Sequence, residues 1–373
     1  MIQPGKLIAS YPRLIIALTL GAALVAAATV FIRGIDFDGS PETLVRKDGE
    51  LQFFNEVRST FGDDRVIIIA LTTSDVFTTD FIEKLDRLTT RVGRIEGVAS
   101  TLSLSNIKTI RRAVQDNASE IRIENLITRP LTPQQLQSLK ETVTRDPLYA
   151  KHYVSEDGRT AAVSIFLGRL DEHRTRDVAR QVELIAREEA GSDELMLAGV
   201  PIMDHQAINS MLRDMLIISP LAMMLCVAAF LFAFRSYWGA VLPMSAILIG
   251  LVWTTGLMSL IGRPVTFATL PLPTVLMVVG SSYIFHVLNQ HRLSMSRLDA
   301  QASPQSRKAA WIDGINFIGP AIIVSATTTM AGFGSLASSP IPTVRDMGGF
   351  EAVGVLFMLA LSLLFVPAVL SLL

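Results

Sequence analysis

Three polar side chains, Ser282, His286 and Asn289, stand four and three residues apart inside a long apolar run, so on a helix they share one face. They belong to the densest polar cluster of the hydrophobic part of the chain: Gly280-Ser281-Ser282-Tyr283-Ile284-Phe285-His286, then Asn289, Gln290 and His291. An imidazole titrates at about pH 6.5 and can exchange a proton under physiological conditions. His286 could carry such a proton; the plainer reading is a neutral histidine hydrogen-bonded near the cytoplasmic interface. A second polar set, Ser325, Thr327, Thr328 and Thr329 followed by Gly332, Gly334 and Ser335, is expected to face the first from the next apolar run. Close packing of small and hydroxyl residues accounts for much of this set. A part in a proton or substrate path is the sharper reading of Thr327 and Thr328. Polar groups are expensive inside a bilayer, which makes both sets functional candidates.

The chemistry of soluble enzymes has no comparable foothold. His152, His173 and His205 are isolated, without ligand spacing to Cys or Glu, so no metal site is expected. The single cysteine, Cys226, lies within an apolar run and reads as a small buried hydrophobe. No Walker-type glycine loop is present, no cofactor is expected, and no nucleophile stands at a credible spacing from a base. The surplus cations sit beside apolar runs rather than in a patch, which points to the membrane surface and away from nucleic acid.

The polar clusters must be positioned by membrane-spanning helices. Half of the residues are hydrophobic and mean hydropathy is +0.43, yet charge is concentrated: 29 acidic and 23 basic residues fall between Gly34 and Arg213. Outside that insert, six stretches reach the roughly 20 apolar residues a span requires: Leu14 to Ile32, Met215 to Phe234, Ala240 to Ile261, Leu270 to Leu288, Phe317 to Leu336 and Ala352 to Leu373. The first is too long for a secretory signal core. Pro220, Pro243, Pro271, Pro273, Pro320 and Pro367 interrupt these runs and predict kinks, either static or used in movement. Lys6 and Arg13, then Arg235, then Arg292, Arg297, Arg307 and Lys308 mark one side of the membrane as cytoplasmic. Both termini are therefore expected in the cytoplasm, with the insert outside. The expected domains are 1–33, an N-terminal segment and first span; 34–213, an extracytoplasmic domain; and 214–373, the remaining spans.

The insert reads as folded α/β. Strands are expected over Arg65 to Thr73, Thr160 to Leu167 and Leu195 to Val200, with helices from Thr79 to Val92 and Glu172 to Glu189. Thr132 and Pro133 predict a helix cap and first turn. The chain after Pro201 should run as a helix into the second span. Ser303 to Asp313 is either an interfacial helix or a connecting loop. Asn117-Ala118-Ser119 is a weak match to a glycosylation acceptor.

The order of one span, a large outer domain and five spans, with particular motifs, resembles one repeat of a resistance-nodulation-division exporter. Thr327-Thr328-Thr329, Gly332, Phe333-Gly334-Ser335-Leu336, Pro340, Pro342, Arg345, Gly348 and finally Pro367-Ala368 look like the fifth and sixth spans of that superfamily. Phe234-Arg235-Ser236, Gly262-Arg263-Pro264 and Phe61-Gly62-Asp63-Asp64 resemble its turns. The match covers nearly the whole chain and is nearest the mycobacterial-membrane-protein-large and hydrophobe/amphiphile branches. It implies an α-helical integral membrane protein of a bacterial inner membrane, with six transmembrane helices, the last five like a sterol-sensing domain, and a periplasmic, porter-like α+β domain between helices one and two. It also implies outward movement of lipids or other hydrophobic molecules coupled to proton entry, and leaves room for a periplasmic accessory protein. A non-pumping lipid-sensing or scaffold protein is the alternative.

Two departures qualify the resemblance. Many relatives carry an aspartate immediately before the tyrosine of the fourth span, where this chain has Ser282 before Tyr283, and a hydroxyl takes up no proton near neutral pH. The carrier is then His286, or lies in a second half, or there is none. The chain also stops at Leu373 within an apolar helix, whereas relatives carry two repeats. A truncated sequence, or a half-size protein that pairs with a second repeat or a second copy of itself, is expected.

Overall fold

A computed structural model of the chain describes residues 10–39, 53, 56–57, 60, 65–115, 118–127, 131–299 and 301–372. Lys6, Phe61-Gly62-Asp63-Asp64 and Asn117 fall outside them. The chain divides into two compact units, one formed by Asp48–Ala207 and the other by Met1–Lys47 with Ile208–Leu373.

The first helix, α1 (Pro12–Arg33), has Pro within its first turn, where its missing N–H costs nothing, and ends at Gly34. A two-residue strand follows, β1 (Phe37–Asp38).

The Asp48–Ala207 unit is a sheet covered by helices. In β2 (Val66–Thr72), Ile67, Ile69 and Leu71 are fully buried, because alternate residues of a strand point to the same face. Helix α2 (Thr79–Gly93) is capped by the Thr78 hydroxyl, which accepts from the Phe81 amide. It buries Phe81, Ile82, Leu85, Leu88 and Val92, the three- and four-residue spacing of an amphipathic stripe. After β3 (Val98–Ser103) come a hairpin, β4 (Lys108–Gln115) and β5 (Ala118–Asn125), and helix α3 (Pro133–Arg145). Thr132 opens α3 with a full capping box, its hydroxyl accepting from the Gln135 amide while the Gln135 side chain accepts from the Thr132 amide. Then β6 (Thr160–Leu167), α4 (Glu172–Ala190) and β7 (Glu194–Ala198) complete the unit.

The main sheet has the order β3-β6-β2-β7, with every neighbouring pair antiparallel. Strands β2 and β3 are therefore parallel with β6 between them, and β6 and β7 are parallel with β2 between them. These are two interleaved split β-α-β units, the arrangement called ferredoxin-like. Gly199, at φ +117°, follows β7; a Cβ there would meet the Val66 carbonyl oxygen at 2.1 Å, so only glycine permits this approach.

The other unit is a helix bundle. Helix α5 (Val200–Phe234) runs without a break through Pro220, α6 (Trp238–Ile261) ends at Gly262 in a left-handed cap, and β8 (Val265–Thr266) pairs in parallel with β1. Helices α7 (Leu272–Ser296), α8 (Pro304–Leu336) and α9 (Pro342–Ala360) follow, and α9 passes through a π-turn at Leu361–Phe365 into α10 (Val366–Leu370). The π-turn falls just before Pro367, whose ring removes an amide and crowds the preceding turn. Among the described residues six helices are long and apolar enough to cross a membrane: Pro12–Arg33, Val200–Phe234, Trp238–Ile261, Leu272–Ser296, Gln305–Leu336 and Pro342–Leu370. The bundle core includes Ile247, Leu276, Ile284, Ala326, Val355, Met358 and Leu361.

Two outcomes differ from the sequence expectation. Ser303 to Asp313 is neither a separate interfacial helix nor a loop; Ser303 caps a helix continuous with the fifth span. The sixth span opens at Pro342 rather than Ala352. Arg345 and Asp346 and then Glu351 interrupt the hydropathy there, but Asp346 pairs with Arg263 at 3.4 Å and Glu351 is enclosed by the bundle.

Candidate functional site

Helix α7 divides its polar residues between two faces. Tyr283 points inward and is 4% exposed, and its hydroxyl has no hydrogen-bond partner among the described residues. Ser282, His286 and Asn289 are exposed, so their shared face is turned away from the other described residues. Gly280 sits where α9 crosses closely: a Cβ there would meet Met358 Sδ at 2.8 Å.

The polar set of α8 is satisfied locally. The hydroxyls of Thr327 and Thr328 donate to the Ile323 and Ser325 carbonyls of their own helix, and Thr329 also donates to Ser325. Thr327, Thr328 and Gly332 are exposed. Helices α7 and α8 pack on each other, yet none of these hydroxyl bonds reaches the set on α7. Phe333 and Gly348 do structural work where α8 meets α9: a Cβ on Gly348 would lie 2.5 Å from the Phe333 carbonyl oxygen and 2.5 Å from Leu336 Cβ. Gly332 faces open space. Arg345 lies in the first turn of α9, and Pro367 is buried after the π-turn.

The feature sequence reasoning missed is Glu351. It is fully buried in α9, and neither carboxyl oxygen has a hydrogen-bond partner among the described residues. An ionised carboxylate in such a place, without donor or counter-charge, costs on the order of several kcal/mol. A carboxylic acid carries a far smaller penalty, so the site suits a group that holds a proton. The available signal was Pro342: reading it as the first turn of the span would have put Glu351 inside the membrane instead of one residue before it. No group of metal-ligating side chains occurs among the described residues.

Six long apolar helices and a bundle core filled by side chains from five of them define a multi-pass membrane protein. The model of the MMPL family matches residues 77–373. The chain belongs to that family, and the resemblance to the mycobacterial-membrane-protein-large branch is borne out. A membrane protein of Methanocaldococcus jannaschii is 27% identical over 135 residues, 36% of this chain and 33% of that relative. The crystal structure of a heavy metal efflux pump superposes with a TM-score of 0.48 at 11% identity, covering 89% of this chain and 40% of the pump. The chain thus spans about a third of the curated relative and 40% of the pump chain.

Proposed function

We propose that the chain forms the membrane and porter portion of a transporter of the resistance-nodulation-division kind, one that moves a lipid or another hydrophobic molecule outward at the expense of a proton gradient. The observation that carries the reading is the family match, which runs through five of the six candidate spans. In this reading the termini are cytoplasmic in a bacterial inner membrane, as the cations Arg235, Arg292, Arg297, Arg307 and Lys308 suggest. The domain 34–213 is periplasmic and receives the hydrophobic cargo, with a periplasmic accessory protein as a further partner. A second repeat or a second copy covers Ser282, His286 and Asn289, because a polar face within a span is costly against lipid. Once covered, His286 becomes one candidate to exchange a proton, with the exposed Thr327 and Thr328 as further candidates for the path and Tyr283 on the buried side of the same helix.

The test is uptake of a fluorescent lipid analogue into inverted membrane vesicles carrying the full chain. Gradient-dependent accumulation that a protonophore abolishes is expected, with His286→Ala reducing it several-fold and flattening its pH profile. Ser282 in place of an acidic residue favours one competing reading, a lipid-binding sensor that does not pump. Lipid binding that ignores the gradient, with no accumulation, would establish the sensor and end the transporter reading.

A further inference from the structure

Glu351 sits between two glycines on one stripe of α9. Residues three apart on a helix are offset by about 60° around its axis, so Gly348, Glu351 and Gly354 fan across one side. Gly348 abuts Phe333 and Leu336 of α8, and a Cβ on Gly354 would meet Leu276 of α7 at 2.6 Å. The Glu351 side chain therefore leaves α9 in a direction between these two contacts, toward the seam where α7, α8 and α9 meet. It starts nine residues after Pro342, about 13 Å along the helix from the start of the span.

Nothing charged among the described residues answers it there. Among the described residues α6 has no ionisable side chain. On α7 the nearest beyond Leu276 is Tyr283, about two turns away, followed by His286, His291 and Arg292. On α8 they are Arg307, Lys308 and Asp313, all in the first third of the helix, whereas the contact with α9 lies at Phe333 and Leu336. On α9 itself Asp346 is taken by Arg263, and Arg345 is in the first turn. An intramembrane carboxyl is maintained by a counter-ion, by hydrogen-bond donors or by the work of binding a proton. Among the described residues the first two are missing. The seam is also bounded by glycine contacts, with Met358 of α9 seated on Gly280 of α7, Leu276 of α7 seated on Gly354 and Gly348 against the backbone at the end of α8, so the three helices approach closely.

We propose that Glu351 is a proton-binding site within the bundle: it holds a proton while the seam between α7, α8 and α9 is closed and releases that proton to water when the helices part. The proposal deepens the gradient-driven reading above and rests on it for its role, since Glu351 supplies the titratable carboxyl that Ser282 does not. In each cycle the carboxyl oxygen takes a proton from one side of the membrane and gives it up to the other, and no other bond changes.

Dicyclohexylcarbodiimide, an apolar reagent that attacks protonated carboxyls, tests occupancy in the full chain reconstituted in liposomes. Peptide mapping by mass spectrometry is expected to find the adduct on Glu351. Its yield should fall about tenfold for each pH unit above the midpoint, as the acid form of a single group does. Glu351→Gln should give no adduct at this position, abolish protonophore-sensitive accumulation, and unfold at a temperature no lower than the parent chain; Glu351→Asp should keep part of both signals. No adduct at any pH, a yield indifferent to pH, or accumulation by Glu351→Gln with the parent pH profile would each overturn the proposal. If the parent chain binds lipid without accumulating it, the transporter reading fails, and the pH dependence of the adduct decides proton binding at Glu351 separately.

Discussion

Glycines that look alike in the sequence do different work in the bundle. Gly332 and Gly348 both belong to the motif that marks the fifth and sixth spans, but a Cβ on Gly332 meets nothing within 4 Å, while one on Gly348 meets the backbone carbonyl of Phe333 in α8 and the backbone amide of Ala337 at its C-cap. Backbone cannot step aside as a flexible side chain can. Gly348→Ala should therefore destabilise the bundle by about 1–3 kcal/mol, the usual cost of overpacking, whereas Gly332→Ala should leave thermal unfolding in detergent within experimental error. Equal melting temperatures for the two variants would contradict the close approach. The same scale shows where sequence reasoning runs out. The spacing of Ser282, His286 and Asn289 was legible as one helical face, since it needs only the helical repeat. Which way that face points depends on the packing of the other helices, and it points outward. Glu351 was hidden because a hydropathy run ends wherever a charged residue stands, even one the bundle encloses.

Local chemistry sets the elements of the α/β unit, and most were legible for that reason. Short apolar, β-branched runs made β2 and β6 legible, and the Thr132-Pro133 signal gave the start of α3, where the capping box is complete. Thr132→Ala should cost about 1 kcal/mol of helix stability, seen as faster amide exchange in the first turn of α3 with little change in α2. Strand β3 and the β4-β5 hairpin carry weak signals, since half of Val98–Ser103 is polar and only Glu120 to Glu124 alternates within the hairpin; partner strands define them. Helices α2 and α4 are joined by Arg91, whose guanidinium donates to Glu188 and Glu189 at 2.6 and 2.7 Å. Arg91 holds the Glu188 carboxyl below the usual carboxylate range through that bond and its charge. A carboxyl depressed on folding adds stability above its unfolded pKa and loses that contribution as pH falls through the folded value. Acidification below about pH 4 should therefore loosen the α2-α4 contact, measured by amide exchange in both helices. Arg91→Ala should remove that part of the pH dependence, and an unchanged acid profile in the variant would show that the pairs do not couple the helices.

At the scale of the whole molecule, length and apolarity made six spans legible, because a bilayer accepts few other solutions. Their bounds were less so: the helical run-in from Val200 to the second was expected, but the sixth begins at Pro342, where the helix continues past the apolar run on hydrogen bonds and packing that hydropathy does not register. The interleaved strand order β3-β6-β2-β7 was likewise out of reach, since the β-α-β passages of the sequence fit several sheet orders. Vectorial export further requires the α/β unit and the loop between α7 and α8 to lie on opposite sides of the membrane. Replacing the single cysteine, Cys226→Ala, leaves a background for introducing one reporter cysteine at a time, at Asp157 in the α/β unit or at Ser303 in the loop. With a membrane-impermeant maleimide, D157C should be labelled on spheroplasts before lysis, and S303C only after the membrane is opened. Labelling in the reverse order, or of both before lysis, would contradict the orientation on which outward transport depends.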